Sequence, residues 1–156
     1  MTVDASLGAL AQALNDLYRL SSSANFHANT VQATGIAVSR SGLRFLSLVA
    51  DTGPVSATRL ATALDLSQPT ASRVLQQLEA DALVTRKASS SDGRVSHHVV
   101  TAKGRRALAK VHAFHVSQLA EALAEVDPAR RAALAGAVTE LVQRLHRDKA
   151  PARRTA

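Results

Sequence analysis

The chain has 156 residues, 46% of them hydrophobic and 3% aromatic, with a formal net charge of +7 and no cysteine. That length gives one ordinary domain, or one compact domain with extensions, and its core must be built mainly from Leu, Val and Ala. The missing thiols exclude disulfides, thiolate nucleophiles, Cys-ligated zinc and thiol redox sensing. No stretch approaches 18 uninterrupted apolar residues, so no transmembrane helix and no membrane partner are expected. The opening MTVDASLGAL lacks a basic region before an apolar one and does not read as a signal peptide. A cytoplasmic location is the default expectation.

Long alternating β-branched runs are rare, which predicts a mostly helical protein. Asp4 to about His27 reads as a helix, with Leu7, Leu10, Leu14 and Leu17 spaced alternately by three and four. Such a seam serves packing within the chain or pairing with a second copy. Ser21–Ser23 and Asn25–Ala28 loosen the pattern and predict a bend or break. Asn29–Gly35 is expected to add one short turn, stopped by Gly35. Ser39 or Ser41 starts another helix, with Leu43, Leu46, Val49 and Ala50 on one face, ended by Asp51-Thr52-Gly53-Pro54.

Ser56 to Thr101 is the most informative stretch. Ser56 caps a short helix with Leu60, Ala61 and Leu64 on its inner side. Asp65-Leu66-Ser67 turns the chain, and Ser67 caps a second helix with Pro69 in its first turn. In that helix Ala71, Val74, Leu75 and Leu78 fall at i, i+3, i+4 and i+7, the spacing of a buried stripe. Gln68, Pro69, Thr70, Ser72, Arg73 and Gln76 are left on the outward face and at its amino end. That face is small, polar and almost free of acids, as a helix pressed into a DNA major groove must be; a plain solvated face has the same polarity. Leu83–Lys87 and Arg94–Val100 read as two strands around a Ser-rich tip. Their alternation puts Val95, His97 and Val99 on one side and Ser96, His98 and Val100 on the other. Thr101 caps a long helix to about Val126. Asp127-Pro128 ends it and starts a last helix with Leu134, Val138, Leu141, Val142 and Leu145. Lys149–Ala156 is a basic tail, expected to be disordered.

Charge is concentrated at one place. Residues 1–39 hold Arg19 against Asp4 and Asp16, whereas residues 86–110 hold Arg86, Lys87, Arg94, Lys103, Arg105, Arg106 and Lys110 against Asp92 alone. A local basic footprint of this kind is what a phosphate-binding surface requires. The predicted fold class is mainly α with a small two-stranded β-hairpin wing: a winged helix-turn-helix plus a helical dimerisation region.

Several motifs then resemble the MarR family of bacterial transcriptional regulators. Asp92-Gly93-Arg94 fits the family's D-x-R wing, and Val100-Thr101-Ala102-Lys103-Gly104 fits its L-T-x-x-G, with Val in place of Leu. Ser72-Arg73 through Leu78-Glu79 to Leu83-Val84-Thr85-Arg86 fits S-R-x-x-x-x-L-E-x-x-G-L-V-x-R, except that Asp81-Ala82 replaces the glycine-containing turn. The resemblance covers nearly the whole chain and is most specific over Ser67–Gly104.

The resemblance implies a homodimer on double-stranded DNA. Residues 1–36 and 101–148 would be dimerisation helices, with Leu7, Leu10, Leu14, Leu17, Leu134, Val138, Leu141 and Leu145 at the seam. Residues 37–100 would be the DNA-binding region, contacting DNA through Ser67, Gln68, Pro69, Thr70, Ser72, Arg73, Gln76, Arg86, Lys87, Asp92 and Arg94, and residues 149–156 a disordered tail. Arg94 would enter the minor groove, whose narrow A·T-rich form attracts a guanidinium, with Asp92 holding it. A small anionic or aromatic effector is implied between dimerisation helices and DNA-binding lobe. By position Tyr18, Phe26, His27, Arg44, Phe45, His112 and His115 are the residues to weigh, against their being core or surface groups. His112 and His115 are neighbours on one helix and open the alternative of a metal-responsive regulator, although no cofactor is expected and His97 and His98 face opposite ways. A non-specific architectural DNA-binding protein is the other alternative. No nucleophile–base pair, phosphate-cradling loop or metal motif points to an enzyme.

Overall fold

The computed structural model describes residues 4–88 and 96–148. Seven helices and three short strands follow in the order α1 (Ala5–Ser21), α2 (Ala24–Thr34), α3 (Arg40–Thr52), β1 (Val55–Ser56), α4 (Ala57–Ala63), α5 (Gln68–Ala80), β2 (Val84–Ala88), β3 (Ser96–Val100), α6 (Ala102–Ala122) and α7 (Pro128–Asp148). The chain divides into two compact units, residues 1–114 and 115–156, with the boundary inside α6.

Each described helix starts at a side chain that accepts a backbone N–H its own turn cannot satisfy. Asp4 takes Ser6 N at 2.9 Å, Ser23 takes Phe26 N at 3.1 Å and Ser39 takes Gly42 N at 3.1 Å. Ser56 takes Arg59 N at 3.3 Å and Ser67 takes Thr70 N at 3.4 Å. Thr101 takes Gly104 N at 3.0 Å and Asp127 takes Ala129 N at 2.9 Å. The Ser6 backbone N–H, and after it the Ser6 hydroxyl, hold the Asp4 carboxyl below the usual carboxylate range. The Asp4 cap is therefore charged at neutral pH, and its contribution is lost only as pH falls through that lowered value.

The second of these caps, Ser23, decides between bend and break in the expected helical layout. The helix read from Asp4 to about His27 breaks where its pattern loosens: the Ser22 hydroxyl donates back to Tyr18 O at 2.6 Å and Ser23 opens a fresh helix. The segment expected to make only one short turn is the second half of α2, an eleven-residue helix. It runs without an apolar stripe because its buried position is Thr30, whose hydroxyl donates to Phe26 O at 2.9 Å. Gly35 ends it at φ 69°. At the other end of the chain α6 stops at Ala122, a turn short of Val126.

The core lies where α3, α4, α5 and the sheet meet. Phe45, Leu46, Val49, Leu60, Leu75, Leu78 and Val84 are at most 2% exposed. Burying side chains of this size contributes about 1.5–3 kcal/mol each. The sheet has three strands in the order β1-β3-β2, all antiparallel, not the two expected. β1 is only Val55 and Ser56, pairing with His98 and His97, too short for an alternation signal. β2 pairs with β3 from Val84↔Val100 to Ala88↔Ser96.

The junction after α5 fixes the geometry of this lobe. Leu83 N–H bonds to Leu78 O and Ala82 N–H to Glu79 O, both at 2.9 Å, the paired closure of a helix whose next residue turns left-handed. That residue is Ala82, at φ 55°, where the family pattern has its glycine. The Leu83 carbonyl then accepts from Thr101 N at 3.0 Å and from the Thr101 hydroxyl at 3.1 Å, while the same hydroxyl reaches Ala82 O at 2.8 Å. Gly104 lies so close that a Cβ there would overlap the Leu83 carbonyl oxygen. Ala82→Gly should raise stability by about 0.5–1 kcal/mol in urea unfolding, since it removes the left-handed strain at some cost in chain entropy. Gly104→Ala should lower it by about 1–3 kcal/mol, because the opposing atom is backbone and cannot swing away.

Candidate nucleic-acid interface

The α4–α5 pair is joined by a turn of the same type as that after α5. Leu66 N–H bonds to Ala61 O at 2.9 Å and Asp65 N–H to Thr62 O at 3.3 Å, with Asp65 at φ 52°. Aspartate tolerates this region better than most residues, and Ser67 begins α5 immediately after. Pro69 occupies the first turn of α5, where a missing N–H breaks no bond.

α5 is divided by face as its spacing requires. Ala71, Leu75 and Leu78 are buried and Val74 is half-buried. Ser67, Gln68, Pro69, Thr70, Ser72, Arg73 and Gln76 are all exposed. Their side chains differ in what they can reach. Arg73 offers a fork that matches guanine or phosphate, Gln76 a donor–acceptor amide, and Ser72 and Thr70 short hydroxyls. Arg86 and Lys87 on β2 are exposed as well. Asp92 and Arg94, the two wing residues, lie outside the described residues, as does the tail from Lys149.

The basic patch is not all free for a ligand. The Lys103 ammonium donates to Asp81 O at 2.8 Å, closing the carboxyl end of α5. Arg105 donates to Val100 O at 3.2 Å. Both serve the α5–β2–α6 junction, which a charge count cannot reveal. Sequence reasoning also passed over Glu79 as a site residue. It follows Ser72 and Gln76 at i+7 and i+3, yet it is half-buried, with Oε1 3.1 Å from His98 Nε2. Two cavities flank α5. One of about 440 Å³ is bordered by Val38, Gly42, Arg73, Gln77 and Asp81 among others. One of about 140 Å³ lies among Ala57, Ser72, Leu75, Gln76, Glu79, Arg86 and His98.

The residues weighed for an effector are dispersed. Phe45 is wholly enclosed in the core, so its ring presents no surface to a ligand. Tyr18 is exposed on α1, Phe26 and His27 are half-buried on α2, Arg44 is exposed on α3 and His112 is exposed on α6. His115 is half-buried in the second unit. None of them borders either cavity beside α5. Among the described residues no three His, Asp or Glu side chains converge as a metal site. No described helix is long and apolar enough to cross a membrane.

The leucine seams are open. On α1 no residue is buried, and Leu7, Leu10, Leu14 and Leu17 are 39–60% exposed. On α7 Leu134, Val138, Val142 and Leu145 are 45–53% exposed and Leu141 is half-buried.

A helix pair, a three-stranded sheet and a following long helix joined in this way define a winged helix-turn-helix protein. Residues 38–95 match the model of the MarR family. Solved structures extend the likeness of fold to most of the chain. A MarR family protein from Bacillus stearothermophilus is 16% identical with a TM-score of 0.76, over 94% of this chain and 99% of that one. A protein from Mycobacterium tuberculosis is 22% identical with a TM-score of 0.71, over 92% and 93%. FabT from Streptococcus pneumoniae, crystallised in complex with DNA, is 19% identical with a TM-score of 0.66, over 92% and 99%. No curated protein sequence gives a significant match to the chain.

Proposed function

We propose that the chain is a sequence-specific, non-enzymatic regulator of transcription that binds double-stranded DNA as a homodimer in the cytoplasm. The outward face of α5 carries this reading: Gln68, Pro69, Thr70, Ser72, Arg73 and Gln76 are exposed together, with no acid among them. Arg86 and Lys87 add charge beside that face, and Arg94 at the wing would enter the flanking minor groove, positioned by Asp92. A relative of the same fold crystallised with DNA supports it.

The exposed seams favour pairing. Helices in proteins draw most of their stability from a covered apolar face, and runs of half-exposed leucines on one face of α1 and of α7 mark an interaction surface. A second copy supplies the same seam. Two recognition helices would then meet successive major grooves of a pseudo-palindromic site. We further propose that the protein represses, and that a small anionic or aromatic molecule releases it by changing the spacing of the two α5 helices.

Fluorescence anisotropy should show tight binding to DNA upstream of its own gene that persists when salt is raised. Binding to scrambled DNA should be about a thousandfold weaker. Equal binding to both, collapsing with salt, would leave a basic protein on a polyanion and remove the regulator reading. Arg73→Ala and Arg94→Ala should each weaken specific binding by about 1–3 kcal/mol while the dimer persists. The double substitution Leu10→Asp with Leu14→Asp should sediment as a monomer and lose tight binding; a surviving dimer would assign the α1 seam to packing within the chain. Aromatic acids added to the protein–DNA complex should lower the anisotropy if effector release operates.

A further inference from the structure

The side of α5 that carries Ser72 and Gln76 ends in an acid, and the structure disposes of that acid in a particular way. Glu79 turns inward onto β3, where its Oε1 approaches His98 Nε2 at 3.1 Å. The His98 side chain is 9% exposed and that of Glu79 is 31% exposed. His98 sits on the central strand, opposite Val55 of β1 and Arg86 of β2. The approach has the distance of an ion pair without the angle of a hydrogen bond. Among the described residues, Glu79 Oε1 and His98 Nδ1 are both buried without a hydrogen-bond partner. Both residues border the small cavity that Ser72, Gln76 and Arg86 also line.

The geometry points to a proton-operated tie between the recognition helix and the wing sheet: with a proton on His98, Glu79 is neutralised and drawn onto β3, and DNA affinity rises; without it, Arg86 is the one cation left at the cavity among the described residues and the carboxylate's charge opposes DNA. This rests on the DNA-binding reading above and concerns its regulation. The charged groups at the cavity are Glu79 from α5 and Arg86 from β2; α4 contributes Ala57 and β1 places Val55 across from His98. α3, which also packs on β3, buries only Gly42, Phe45, Leu46 and Val49. Histidine is the side chain suited to change charge between pH 5 and 8. Its proton adds one positive charge to a lobe that faces a polyanion, so binding DNA and binding the proton favour each other. The attraction is present at low pH and is lost as pH rises.

The test is DNA affinity between pH 5.5 and 8 at constant ionic strength for the full chain and three variants. The native protein should bind about threefold or more tightly at pH 5.5. His98→Gln should flatten that profile, while His97→Gln, at the half-buried neighbouring position on the same strand, should leave most of it. Glu79→Gln should bind at pH 8 as the native protein does at pH 5.5, an increase that a merely structural contact would not give. A profile unchanged in His98→Gln, or weaker binding in Glu79→Gln at pH 8, overturns the proposal. Thermal unfolding of the two single variants and the double variant gives a readout without DNA. Their melting shifts should be less additive at pH 5.5 than at pH 8, and equal coupling at both would overturn the tie. If the native chain binds no DNA at any pH, the DNA reading fails, and this cycle alone decides whether the proton-dependent contact exists.

Discussion

The Leu83 carbonyl is the point on which the winged lobe depends. It lies at the end of the turn that closes α5 and at the start of β2, and it accepts both the backbone N–H and the hydroxyl of Thr101. Three elements therefore share one acceptor. The turn sets where α5 stops, the pairing of Val84 with Val100 starts the sheet there, and Thr101 starts α6 there. Gly104 is required because α6 passes so close to that oxygen that no side-chain atom fits between. Lys103 closes the same junction from outside by donating to Asp81 O. A motif that reads in the sequence as threonine, two residues and glycine is thus a clamp that joins the end of α5, the start of β2 and the start of α6.

Departure from the pattern at that clamp is informative. Ala82 stands where glycine is the residue with no steric objection to positive φ. The two hydrogen bonds of the turn and the burial of Leu78 and Leu83 around it hold the alanine there against its own preference. Tertiary packing outweighs a local cost of about 1–2 kcal/mol. Asp65, in the turn before α5, makes the same excursion with a residue that tolerates it better.

Charge is used in two ways in this lobe. Arg73, Arg86 and Lys87 are exposed on α5 and β2, whereas Lys103 and Arg105 serve backbone carbonyls at the clamp. The single acid following on from Ser72 and Gln76 is folded against His98. If α5 meets a polyanion as proposed, folding this carboxylate away serves the contact as much as the exposed cations do.

Much of this was legible in the chain. The i, i+3, i+4, i+7 spacing from Ala71 to Leu78 determined which face of α5 is buried, because helical period alone sorts residues by face. Serine, threonine and aspartate marked the starts of every helix but α2, since a short acceptor side chain is what the free N–H groups need. Three things were decided only by tertiary structure. β1 is two residues long and exists because β3 offers it an edge. α2 is a full helix although Thr30 holds its buried position, so no apolar period announced it. Glu79 and His98 are nineteen positions apart in sequence, and only the sheet's pairing brings the imidazole under the end of α5. Periodicity and capping are properties of neighbours along the chain and can be read from it; a contact between a helix and a strand depends on where the core has placed both.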